Sequence, residues 1–264
     1  IRFEGVTSAP VGSTYRPQDH LTTQVYEAHV RSARRISEAS GRPFDFALVT
    51  GDFTDGGQKN EAQWAFQILN GGVIHPDSGV DNDPVPGEAN DFTDRFWSRG
   101  IGVPWYTAVG NHETLYVGSL PATDEVKRAA VGNEVYEFTG KIPGVGLIEG
   151  LQNGYRDAST KTAEVVRDGK TPADPDREIL PLEELLEMIR TTGGRPDGHG
   201  LTEEAASAGK GYYSFHPAQG KPIRVVVLNT LMNDPVNVSG GIDEAQFDWL
   251  QSELDEAERA NELV

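Results

Sequence analysis

The sequence predicts a mixed α and β chain with strands buried on both faces, and three observations carry that reading. Phe46 to Val49 is a short apolar run with the length and composition of a buried strand. Tyr106-Thr107-Ala108-Val109 repeats the device further along. Apolar residues at helical spacing precede the first run and separate it from the second.

In chain order, Ile1 to Gln18 holds Gly5, Pro10, Gly12 and Pro17 without periodicity, which predicts a loop. A helix is expected from Asp19, with Leu21, Val25, Ala28 or His29, Ala33 and Ile36 as its apolar face and Gly41-Arg42-Pro43 as its end. The first strand follows, then a helix through Glu61–Leu69 stopped by Gly71-Gly72. With the strand at Trp105–Val109 this order fits a βαβ-like unit. Gly71 to Asp91 is a long stretch rich in acidic residues, proline and glycine. It fails the calcium-loop template: with Asp77 at the first position, Gly79 falls at the third and Asn82 at the sixth, where glycine is required.

Tyr116 to Lys210 contains helical patterns at Asp124–Ala130 and Leu182–Ile189 and is expected to be an insertion or cap, about 116–210, over the main sheet. Gly211–His216 and Ile223–Asn229 predict two adjacent antiparallel strands. The last helix is predicted from a capping box of Asp243 and Gln246 and a staple of Ile242 onto Phe247, with Phe247, Leu250, Leu254 and Ala257 as its apolar stripe.

At 264 residues, the chain is long enough for one large domain or two small ones. Its formal charge of −18, from 41 acidic and 23 basic residues, repels nucleic-acid backbones and gives no reason to expect anionic membranes as partners. With no cysteine, disulfides, thiolate metal sites and a cysteine nucleophile are excluded. No apolar run approaches the ~18 residues needed to span a bilayer. The composition is compatible with cytoplasm or export, and no Gly-x-Ser-x-Gly elbow supports a serine nucleophile.

The informative residues follow the two strands. Thr50-Gly51-Asp52 ends the first, with Asp55 close behind; Gly110-Asn111-His112-Glu113 ends the second. Glycine allows a sharp turn and close approach, and carboxylates past strand ends stand where α/β sheets place ligands. Two such ends bearing oxygen and imidazole donors point to one metal site built from two loops. The plainer reading is an Asx turn at Asp52 and a loop pair at Asn111-His112.

Gly51-Asp52-Phe53-Thr54-Asp55 followed by Gly110-Asn111-His112-Glu113 resembles the second and third motifs of the calcineurin-like metallophosphoesterases. Tyr212–Phe215, Leu228-Asn229-Thr230 and Asp243–Leu254 look like the family's middle section, so the resemblance covers Phe44–Val117 and Gly211–Ala257. It implies an α+β fold, a four-layer α/β/β/α sandwich of two mixed sheets flanked by helices. It also implies two divalent or trivalent metal ions of the Mn, Fe, Zn or Mg-like kind, and a phosphorylated or small-molecule substrate hydrolysed by an activated water. In that resemblance Asp52 bridges the metals and Asn111 ligates one of them. His112 protonates the leaving group, and Glu113 is the partner that orients His112. Asp55 is read as a loop-fixing acceptor, and His199 as a candidate pocket residue from the insertion.

The family's first motif, Asp-x-His on the first strand, is missing; Asp19-His20 is adjacent, not spaced. The late Gly-His-x-His is missing too, since Gly198-His199-Gly200 runs on to Leu201. The expectation is therefore one partial metallophosphoesterase-like domain, 1–264, an internal piece of a longer enzyme that is poorly active or inactive alone. The alternatives are a degenerate, non-catalytic relative that binds a ligand or protein, and an unrelated acidic binding domain.

Overall fold

The computed structural model describes residues 21–78, 94–116, 118, 120–132, 135–137, 164–166, 173–218, 220–231 and 240–264. The expectations for Ile1–Gln18, for Asp19-His20 and for the calcium-loop stretch from Gly79 onward lie outside those residues.

Helix α1 (Thr22–Ala39) opens the described chain, and its buried face is not the one expected. Tyr26, Val30, Ala33 and Ser37 face the core or are buried, at intervals of four, three and four. Leu21, Val25 and Ile36 are 45–61% exposed. The inward stripe lies one position round the helix, and Ser37 completes it because its hydroxyl accepts the Phe44 N–H at 2.9 Å and so turns the chain into the first strand.

Strand β1 (Ala47–Val49) and β4 (Trp105–Thr107) pair in parallel, Ala47 opposite Trp105 and Val49 opposite Thr107, as a βαβ-like unit requires. Between them come helix α2 (Lys59–Asn70) and an antiparallel hairpin of β2 (Gly72–Ile74) and β3 (Phe96–Ser98). Helix α2 buries Ala62, Ala65, Phe66, Ile68 and Leu69 in the core, where Phe66 stacks on Trp105 of β4 with ring centroids 5.8 Å apart.

Short hairpins β5 (Leu115–Tyr116)/β6 (Leu120–Pro121) and β7 (Val135–Glu137)/β8 (Glu164–Val166) flank α3 (Asp124–Val131). Helices α4 (Leu182–Thr191) and α5 (Glu203–Ser207) follow. Within the span expected to be a cap, residues 173–210 contribute apolar side chains to the central core. Leu180, Leu185, Leu186, Ile189, Leu201 and Ala206 are buried in one cluster with Phe66 and Trp105. Leu180 N–H also donates to Gly57 O and Lys59 N–H to Glu178 O, so this segment ties down the start of α2.

Strands β9 (Tyr213–Phe215) and β10 (Val225–Val227) are antiparallel neighbours, as predicted. They meet β4 through rings and one hydroxyl. Tyr106 stacks on Phe215 at 3.5 Å, and Tyr213 Oη donates to Thr107 O at 2.8 Å while accepting Thr107 N–H at 3.1 Å. That hydroxyl satisfies both backbone groups of Thr107.

Helix α6 (Glu244–Ala260) is capped by Asp243, whose carboxylate accepts Gln246 N–H at 2.7 Å. The other half of the expected box is absent, because Gln246 spends its amide on Asn229, accepting its N–H at 2.9 Å and donating to its carbonyl at 2.7 Å. The helix docks through Gln246, Trp249, Glu253 and Ala257, while Phe247 and Leu254 are 49% and 44% exposed. Arg224, beside β10, fastens the far end, reaching Glu253 at 2.5 Å and Glu262 at 2.8 Å. Among the described residues the strands form five two-stranded pairs, and with the helices they make an α+β fold.

Candidate metal centre

Strands β1 and β4 end side by side, and Ala108 N–H still donates to Val49 O at 2.8 Å. Past that bond both chains turn into the loops carrying the sequence-predicted residues. The loops touch backbone to backbone. A Cβ on Gly51 would lie 2.7 Å from Gly110 N, and one on Gly110 would lie 2.6 Å from Asp52 N and overlap the Asp52 carboxylate. Glycine is needed on both sides for the contact to exist. Asp52 follows with φ 55°, a left-handed conformation that costs a non-glycine residue free energy unless its surroundings hold it there.

Asp52 is exposed, and its Oδ1 accepts the backbone N–H of His112 at 3.3 Å. Asn111 opens a short 3-10 turn (Asn111–Glu113). Its amide nitrogen donates to Gly118 O at 2.8 Å, which fixes the side-chain plane and leaves its oxygen for other partners. A Cβ on Gly118 would overlap the His112 ring at Nε2 and lie 2.7 Å from the Asn111 amide nitrogen. The Asn111 and His112 side chains therefore point to one place, against one glycine.

The ring partner of His112 is Asp55. His112 Nδ1 sits 3.0 Å from the Asp55 carbonyl and 3.2 Å from its carboxylate. Two acceptors on Nδ1 put the proton there and leave Nε2 on the side of Gly118. The hydrogen bond to the Asp55 carboxylate pushes the His112 pKa up to about 9 against the opposing effect of partial burial.

Glu113, expected to orient His112, does something else. It is 1% exposed and takes no bond from the ring. One carboxylate oxygen accepts the N–H of Asp52 at 2.8 Å and of Gly110 at 2.7 Å; the other accepts Thr54 N–H at 2.9 Å and Thr54 Oγ1 at 3.1 Å. It bridges the two loops. Burial raises its pKa while these donors pull it back.

His199 lies away from this place, in a 3-10 turn (Asp197–Gly200) beside the start of β4. Its ring stacks on Trp105 at 3.6 Å, Nδ1 meets Trp105 O at 2.9 Å and Nε2 meets Gly193 O at 2.6 Å. Both ring nitrogens are occupied by backbone carbonyls and the residue is 1% exposed, so it serves the core and not the pocket expected of it.

Sequence reading passed over Glu61, the third residue of α2. One of its carboxylate oxygens accepts the N–H groups of Asp55, Gly56 and Gln58 at 3.3, 2.9 and 3.1 Å. Burial, and then the Asp55 charge, raise its pKa. The Gln58-x-x-Glu61 spacing ahead of an apolar run is a capping-box signal that points to it.

The donor chemistry suits a hard or borderline cation in part. Asp52 offers a carboxylate and Asn111 a neutral amide oxygen, with the His112 ring beside them. Among the described residues no group of three or more His, Cys, Asp or Glu is gathered to hold a metal ion. The loops thus offer two oxygen donors and not a closed site.

No curated protein and no solved structure matches the chain. The family model described as calcineurin-like phosphoesterase matches residues 20–203, which takes in α1, both loops and the segment through α4. That span is well over half the chain, so the protein whose β1 and β4 end in these two touching loops belongs to the calcineurin-like phosphoesterase family.

Proposed function

We propose that this chain hydrolyses phosphate esters, monoester or diester, at the tips of β1 and β4, with two divalent or trivalent metal ions of the Mn, Fe or Zn type as cofactors. When bound, such ions polarise phosphoryl oxygens and lower the pKa of a water for in-line attack. Asp52 is read as the bridging carboxylate and Asn111 as a ligand through its amide oxygen. His112, with Nδ1 held by Asp55, presents Nε2 to donate a proton to the leaving-group oxygen. Glu113 holds the two loops together. The observation that carries this reading is the convergence of both motifs: His112 N–H on Asp52 Oδ1, and the His112 ring on Asp55.

In the same reading, residues 1–264 form one domain, and the β1–β4 and β9–β10 pairs belong to the two packed sheets of a four-layer sandwich. Part of 116–210 is the inserted segment. The substrate is a small or phosphorylated molecule and not a long nucleic acid, given the charge of −18. No helix among the described residues is long and apolar enough to cross a membrane. With two ligands named, the chain is expected to be a slow enzyme on its own.

The test is Mn2+ binding and the hydrolysis of p-nitrophenyl phosphate and its bis ester by the Mn2+-loaded chain. Asp52→Asn should weaken Mn2+ binding and lower kcat/KM by at least about 100-fold, since even residues outside the ligand set cost 10–100-fold. Unchanged hydrolysis in that variant overturns the assignment of Asp52. The second reading, a non-catalytic relative that binds a ligand or protein, has the incomplete acidic and histidine set in its favour. It is the one left standing if the wild-type chain neither binds Mn2+ nor hydrolyses either ester.

A further inference from the structure

The loop from Asp52 to Gln58 is wired by its amides. Asp52 and Thr54 N–H donate to Glu113, and Asp55, Gly56 and Gln58 N–H donate to Glu61. The two carboxylates come from different elements, the 3-10 turn after β4 and the first turn of α2. With the amides drawn inward, the Asp52 and Asp55 side chains are left on the outer side. On the far side the loop is tied again, where Gly57 O accepts Leu180 N–H.

We infer that Glu61 and Glu113 are positioning residues of the proposed centre, Glu113 setting Asp52 against Asn111 and Glu61 setting Asp55 against His112. The inference rests on the phosphoesterase reading for what is positioned, but the wiring has its own signature. Glu61 receives all three of its loop amides on one oxygen. A glutamine there can turn its carbonyl oxygen to the loop and keep them. Glu113 uses both oxygens, two donors on each. A glutamine there must aim its NH2 either at the Asp52 and Gly110 N–H groups or at the Thr54 N–H, and two N–H donors facing each other cannot bond; only the Thr54 hydroxyl, whose proton can go to His112 O at 3.0 Å, could still accept from it. Each substitution removes one negative charge and changes volume very little, so the contrast between them isolates the hydrogen-bond geometry from the charge.

The experiment compares wild type, Glu61→Gln, Glu61→Ala and Glu113→Gln as full chains, with folding checked by circular dichroism. Amide hydrogen exchange is followed without metal, and Mn2+ affinity and p-nitrophenyl phosphate hydrolysis with it. Glu113→Gln should lose protection by about tenfold on one side only, at Thr54 or else at Asp52 and Gly110, the worth of a lost hydrogen bond to a charged group. It should also weaken Mn2+ binding by about 10–100-fold, as expected for groups that orient ligands. Glu61→Ala should lose protection at Asp55, Gly56 and Gln58 and lower kcat more than it raises KM. Glu61→Gln should restore both. Equal behaviour of Glu113→Gln and Glu61→Gln overturns the inference. Should wild type neither bind Mn2+ nor hydrolyse the ester, the phosphoesterase reading and the positioning role fall together. A normal exchange pattern with unchanged Mn2+ affinity in Glu113→Gln removes the role and leaves that reading intact.

Discussion

At the scale of the residue, the site depends on two glycines that let two backbones touch. Gly51 has φ 96°, and a Cβ there would sit 2.7 Å from Gly110 N and 2.8 Å from its Cα. Neither obstacle is the end of a flexible side chain, so the loops themselves must part. Gly51→Ala should therefore cost about 1–3 kcal/mol, the range for a residue forced into a sparsely populated backbone region. Chemical denaturation measures that loss, and loss of Mn2+ affinity should accompany it. A variant as stable as wild type would mean that the loops are not in contact. At this scale the meeting of the two loops was largely legible from sequence. Asp52, Asn111 and His112 announce themselves as donors after glycine at strand ends. What was not legible is the use of each polar group, because that depends on which neighbour arrives in space. Glu113 reads as a partner for the adjacent imidazole, yet its carboxylate turns inward to backbone amides. His199 reads as a spare imidazole, yet both nitrogens are consumed by carbonyls under Trp105.

At the scale of the element, periodicity locates helices better than it orients them. Helix α1 has apolar residues on more than one face, so the choice between stripes falls to tertiary packing. Val30 is 5% exposed and Ile36 is 61% exposed. Val30→Ala should destabilise the chain by about 1–3 kcal/mol through lost burial and a cavity, while Ile36→Ala should stay within about 0.5 kcal/mol. Thermal or urea denaturation of the two single variants decides between the faces, and the reverse order would restore the stripe expected from sequence. Helix α6 teaches the same lesson with polar groups. Its Phe247 and Leu254 point outward, and Gln246, Trp249 and Glu253 make the contacts to Asn229, Tyr212 and Ser214. The strands were legible where they are continuous apolar runs, at β1, β4 and β10. The two- and three-residue hairpins β5–β6 and β7–β8 carry too few residues for a pattern to show. The place of α4 in the core was hidden for another reason: its stripe of Leu182, Leu185, Leu186 and Ile189 states that it packs, and not against what.

At the scale of the whole molecule, charge and cation binding act on the same balance. A formal charge of −18 loads the compact state with self-repulsion, which screening by monovalent salt relieves. The melting temperature should accordingly rise with KCl in wild type and in Asp52→Asn alike. A cation held, as proposed, at Asp52 and Asn111 would add a second, site-specific contribution, because anything that binds the folded state and not the unfolded chain stabilises it by mass action. At a free Mn2+ concentration about 100 times its dissociation constant, that contribution is about 2.7 kcal/mol. For a chain of this size it amounts to a rise of about 5–10 °C, at roughly 2–4 °C per kcal/mol. The measurement is a pair of melting curves at matched ionic strength, one with MnCl2 and one with KCl. Wild type should melt higher in Mn2+ by that margin, and Asp52→Asn should show the same curve in both salts. If Mn2+ raises the two proteins equally, the ion is acting on the diffuse charge of the surface, and the oxygens at the tips of β1 and β4 are not its site.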